Sequence, residues 1–122
     1  MFAMALDLEP VFTALRAVLT PHADAFHVQD RKGYYGLDDR SVRGHVVDFA
    51  AVVLKRRAVS FYLLPTVWSP ALLEGVSDAL RARRTKAGFF NFASVAKGEL
   101  RELSRLVERA RRAWDPAALV GR

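Results

Sequence analysis

Apolar positions 8, 11, 12, 15, 18 and 19 recur at helical spacing and predict an amphipathic helix from Asp7 to Leu19. Pro10 is tolerated in its first turn, and Pro21 helps to end it. Ala25 to Gln29 reads as a short strand. The stretch from Arg31 to Gly44 reads as hairpin or loop, because three glycines and clustered charges interrupt any period. Two runs rich in Val, Phe, Tyr and Leu follow, from His45 to Lys55 and from Arg57 to Thr66, and the short KRR break between them suggests an antiparallel hairpin. In the second run Val59, Phe61 and Leu63 share one face, with Ser60, Tyr62 and Leu64 on the other, and Pro65 closes the strand or marks its edge.

Pro70 can open a short helix through Leu73, and Gly75 can end it in a left-handed conformation. Ser77 or Asp78 can then cap a second helix to about Arg84. Phe89 to Phe92 makes a further strand. A long helix from about Lys97 to Trp114 carries apolar residues at 100, 103, 106, 107, 110 and 114, and Asp115 and Pro116 stop it before a short tail. This order predicts an α+β single domain: an antiparallel β-sheet packed against N-terminal and long C-terminal helices, with short helices between the central strands.

Length and composition agree with one domain that holds itself together by packing, since 122 residues with 52% hydrophobic content can bury a core. No cysteine is present, which excludes disulfides, thiolate metal ligands and a cysteine nucleophile. Asp7 and Glu9 near the start, with no preceding base, argue against an export signal. The longest apolar run, Phe49 to Leu54, is far below the about 20 residues of a membrane-spanning helix. A soluble, cytoplasmic protein is expected. The formal charge of +6 is uneven: residues 1–30 hold Asp7, Glu9, Asp24 and Asp30 against Arg16, whereas the other 92 hold eighteen bases and nine acids. Such a field favours an anionic partner, whether nucleic acid, an anionic small molecule such as a phosphorylated metabolite, or an acidic protein, without choosing among them. Nothing specifically favours nucleic acid or a membrane.

Lys55 to Val67, PALLEGVSDALRAR from Pro70 to Arg83, FFNF ending at Phe92 and the terminal amphipathic helix together resemble the YdhG-like family of small bacterial α+β domains. The resemblance covers roughly the last two thirds of the chain and implies a single YdhG-like domain over residues 1–122. Most such proteins have no assigned function, and one branch is described as frataxin-like intracellular iron chaperones. The family commonly shows Gly-Lys, a small residue and Cys before the Phe-rich strand. Here Lys86, Ala87, Gly88 and Phe89 stand there, so neither the lysine nor the cysteine is carried over.

Candidate chemistry is sparse. Iron handling needs hard oxygen ligands clustered on a surface, and the start of the chain offers only Asp7 and Glu9 close together, which equally well serve a helix N-terminus. His22, His27 and His45 have no metal-ligand spacing. Ser41, His45 and Asp48 have the residue types of a triad without a nucleophile elbow. No P-loop or GxGxxG is present, and no motif names a cofactor.

Two basic groups remain. Arg81, Arg83, Arg84 and Lys86 crowd a helix end, where cations also favour the helix dipole. Arg101, Arg105, Arg109 and Arg112 share one face of the last helix, where like charges repel slightly and call for compensation, for which Glu102 and Glu108 are at hand. Tyr62 and Trp68 can stack on a ligand, although aromatic residues in an alternating strand more often fill a core. The expected function is a noncatalytic binding or interaction module for an anionic small ligand or protein partner, using Arg81, Arg83, Arg84, Lys86, Arg101, Arg105, Arg109, Tyr62 and Trp68. The first alternative is the iron chaperone. The second is an enzyme working through Tyr62, His45 or Asp48 in a pocket. A homodimer is expected if Val59 to Leu64 forms an exposed apolar edge.

Overall fold

The computed structural model describes residues 7–121, so most of the start of the chain, on which the export reading partly rests, lies outside the described residues. Helix α1 spans Glu9–Leu19 and is followed by a 3-10 turn, Thr20–Ala25. Strands β1 (His27–Arg31), β2 (Tyr34–Asp39), β3 (Val47–Leu54) and β4 (Val59–Leu63) come next. Helix α2 (Pro65–Trp68), a second 3-10 turn (Pro70–Leu73) and helix α3 (Asp78–Arg81) lead into β5 (Phe89–Phe92). Helices α4 (Lys97–Arg112) and α5 (Pro116–Val120) close the described chain.

The strands form one antiparallel meander in the order β1-β2-β3-β4-β5, with α1 and α4 packed on a single face. The core joins Phe12, Leu15, Val18 and Leu19 of α1 and Leu103, Leu106, Val107 and Ala110 of α4 to the inner side chains of the sheet. Among those, Leu37, Val52, Val59, Phe61, Leu63, Phe90 and Phe92 are all buried. This is the α+β sheet-and-helix architecture expected from the periodicities.

Local differences have local causes. Of the two readings of the Arg31 to Gly44 stretch, hairpin or loop, its first part is a hairpin: only Lys32 and Gly33 make the turn between β1 and β2, with Gly33 at φ 72°, and Gly36 lies inside the strand. Helix α3 stops at Arg81, and the two arginines that follow leave the helix to hold neighbouring segments. The expected tail is α5, since the Asp115 side chain accepts from Ala118 N and caps a new helix rather than only ending the previous one. Strand β4 lies between β3 and β5, so Val59 to Leu64 is no exposed edge and that argument for a homodimer falls away.

A β-bulge fixes which side chains reach the outer face. Leu37 pairs with Ala50 but Asp38 pairs with Asp48, leaving Phe49 as an extra residue in β3. Phe49 and Ala50 both turn inward, and Phe49 stacks on Phe26 at 4.5 Å and meets Trp114 edge-on at 5.1 Å. Simple alternation would bury Asp48. The bulge instead sets it on the outer face, across from Asp38.

Candidate functional site: the outer face of the sheet

Cross-strand register lays the outer face out in rows. Gln29, Gly36, Ala51, Tyr62 and Phe89 form one row, and Arg31, Tyr34, Val53, Ser60 and Asn91 form the next. Gly36 and Ala51 occupy the middle of the first row, where Gly36 leaves room for the Tyr34 ring and Ala51 forms a low floor between the rings. Tyr34 leans across Gly36, and Tyr62 packs against Phe89 at 4.8 Å between ring centroids. The result is a hollow of about 410 Å³, lined by Tyr34, Ala51, Val53, Tyr62, Ala87 and Phe89, with Asp48 at one end.

Polar groups around the hollow are arranged unequally. Asp38 is only 2% exposed, and its carboxylate accepts from Arg40 Nε at 2.8 Å and Gln29 Nε2 at 3.0 Å, with His27 Nδ1 at 3.3 Å. Burial alone would raise its pKa. The hydrogen bonds from Arg40, Gln29 and His27 and the charge of Arg40 outweigh burial and hold it below the ordinary carboxylate value. Asp48 has no comparable partners, and desolvation, then the charge of Asp38, raise its pKa above the usual value. The neighbouring hydroxyls respond. Tyr34 and Tyr62 are raised chiefly by burial and next by Asp48.

Cations already use the rings as platforms. The Arg31 guanidinium sits 4.2 Å from the Tyr34 ring centre and donates to Gln29 Oε1, and Lys55 Nζ sits 5.1 Å from the centre of Phe89. Asp48 is thus left as the carboxylate that faces the hollow without a hydrogen bond or ion pair among the described residues.

No family model, curated protein or solved structure matches this chain.

The sequence-derived candidates divide into separate places. Tyr62 lines the outer hollow. Trp68 is 42% exposed and borders a separate small cleft of about 90 Å³ with Leu72 and Trp114. Arg81 donates to the carbonyls of Leu73 and Val76. Arg83 pairs with Glu99, reaches the Asn91 carbonyl and stacks over Phe92 at 4.6 Å. Arg84 donates to the carbonyl and hydroxyl of buried Thr66. Arg109 donates to the Leu72 carbonyl at 3.0 Å. Arg81 and Arg84 thus brace the irregular connector from 64 to 88 from within, and Arg83 and Arg109 tie it to β5 and α4, all four through donors to backbone carbonyls.

Lys86, Arg101 and Arg105 remain exposed. The compensation expected for the arginine stripe comes from Glu108, 3.9 Å from Arg112, and from Glu102, whose pKa is lowered first by hydrogen bonds from Ser77 and further by the charge of Arg105. Of the residues weighed for an enzyme, Asp48 and Tyr62 share the hollow, and His45 stands exposed in the preceding loop. Among the described residues, no three His, Asp or Glu side chains gather as a metal site, and Asp7 is engaged by the backbone N–H of Glu9. No helix there is long and apolar enough to cross a membrane.

Tyr34, Gly36, Asp38 and Ala51 were not singled out by sequence. Tyr34 and Gly36 sit in a segment whose glycines disguise a strand, and Ala51 matters only because its cross-strand neighbours are large.

Proposed function

We propose that this protein is a noncatalytic binding module whose outer sheet face receives a small ligand in the hollow between Tyr34 and Tyr62. One observation carries the reading: a concave, aromatic-walled space of about 410 Å³ lies on the face that α1 and α4 leave uncovered. That volume falls within the roughly 300–1,000 Å³ of small-molecule sites, and apolar walls with few polar groups are their usual lining. Ala51 keeps the floor low and Gly36 lets the Tyr34 ring lie against the sheet, while the Asp38 network braces the adjoining end of β1 and β2 so that the walls are preorganised.

The arginine-rich edge is better understood as the clamp that holds the connector, since Arg81, Arg83, Arg84 and Arg109 all spend donors on the protein itself. A fragment screen by two-dimensional NMR on the full chain tests the proposal. Ligands are expected to shift the amides of Ala51, Val53, Tyr62 and Phe89. Replacing Ala51 by Leu, which fills the hollow without entering the core, is expected to abolish those shifts. Hits that cluster on the helical face, or that survive Ala51→Leu unchanged, would overturn it.

A further inference from the structure

The class of ligand can be narrowed, resting on the reading of the hollow just given. We infer that the hollow selects a small organic cation, an ammonium or amidinium group on a flat or branched apolar body, with Asp48 as its anchor. Most of the carboxylate charge near the hollow is already spent. Asp38 has Arg40, Gln29 and His27, and Asp39 accepts from Ser41 and from Trp114 Nε1 at 2.7 Å. Asp48 alone on this face brings a carboxylate to the hollow without a donor among the described residues.

The sheet could have placed an alanine or serine there. Instead, the bulge at Phe49 turns Asp48 outward beside a second carboxylate, an arrangement whose repulsion a bound cation relieves. The pKa of Asp48 is raised first by lost solvation and then by the charge of Asp38, both of which a bound cation would offset. Aromatic rings supply the remaining selectivity. Tyr34 and Phe89 already hold Arg31 and Lys55 over their rings, which leaves Tyr62, with no protein cation over it among the described residues, as the aromatic surface for a ligand cation entering beside Asp48. A ligand with an anionic head would meet Asp48 and the Tyr34 and Tyr62 hydroxyls without any donor lining the hollow other than those two phenols.

Three probes of the same shape separate the possibilities: phenethylamine, 2-phenylethanol and 3-phenylpropionate, titrated against the full chain by two-dimensional NMR. Phenethylamine is expected to bind at least tenfold more tightly than either of the others, with saturable shifts at Asp48, Ala51 and Tyr62. Asp48→Asn is expected to erase that preference while leaving weak binding of 2-phenylethanol at the same amides. If the carboxylate binds as well as the amine, or if Asp48→Asn leaves the preference intact, the cation inference is overturned and the hollow survives as a site. If all three bind elsewhere, or Ala51→Leu leaves amine binding unchanged, both readings fail together.

Discussion

The Tyr34 ring lies so close to Gly36 that a Cβ built on the glycine would stand 2.8 Å from both Cε1 and Oη of the tyrosine. Gly36 has no positive φ, so space rather than backbone freedom is what it provides. Gly36→Ala is expected to push the ring off the sheet, at a cost of about 1 kcal/mol because the displaced atoms are the swinging end of a side chain. A Tyr34→Ala background should remove the penalty. Urea denaturation of the double-mutant cycle measures it, and a coupling near zero would refute the contact as the reason for the glycine.

Two arginines that look alike in sequence should behave differently. Arg83 is half-buried, pairs with Glu99, holds the Asn91 carbonyl and covers Phe92. Arg83→Gln is expected to lower stability by about 1–2 kcal/mol, as for lost hydrogen bonds to charged groups in partly solvated places. Arg105 is exposed, and Arg105→Gln should change stability by less than about 0.5 kcal/mol. Chemical denaturation of both variants is the check. Equal losses would remove the distinction between clamp and solvated face.

These cases mark what the chain reveals before folding. Helical stripes at 12, 15, 18 and 19 and at 103, 106, 107 and 110 became the buried faces of α1 and α4, because such a stripe has only one way to leave water. The Val59 to Leu64 alternation was equally legible, with Phe61 and Leu63 inward and Tyr62 outward. The site was not. An extra residue at Phe49 reverses the parity of β3, and nothing in alternating apolar residues announces a bulge, so Asp48 could be suspected as a reactive group but not placed opposite Asp38. The targets of Arg81, Arg84 and Arg109 are carbonyls, identical at every residue, and so leave no trace in sequence. Trp114 reaches Asp39 across 75 positions for the same reason: the pair exists only after the sheet and the last helix have met.

Gly88 should be far less replaceable than its place in a charged turn suggests. Its φ is 89°, and an added Cβ would lie 2.7 Å from Val67 Cγ2. Both the left-handed backbone and the contact oppose a side chain, so Gly88→Ala is expected to cost about 1–3 kcal/mol. Val67→Ala should recover the steric part alone. Thermal unfolding of the single and double variants separates the two causes, and full recovery in the double variant would show that the backbone carries none of the cost.

The carboxylates on the outer face predict opposite responses to pH. Asp38 has a folded-state pKa below its unfolded value, so its stabilisation is complete above the unfolded value and is lost as pH falls through the folded one. Asp38→Asn should therefore lower stability at pH 7 by about 1–3 kcal/mol, through the weakened bonds to Arg40, Gln29 and His27. In acid its stability should approach that of the parent protein, whose own Asp38 is then protonated. Asp48 has a raised folded-state pKa, so its ionised form opposes folding at neutral pH, a cost that falls as pH drops through the folded-state value and is gone below the unfolded one. Asp48→Asn should accordingly stabilise the protein at pH 7, by no more than a few tenths of a kcal/mol because solvent screens an exposed carboxylate. Urea unfolding between pH 7 and pH 3 measures both. Parallel pH profiles for Asp38→Asn and the parent would refute the Asp38 network, while a loss of stability in Asp48→Asn at pH 7 would mean that Asp48 serves the fold rather than a ligand.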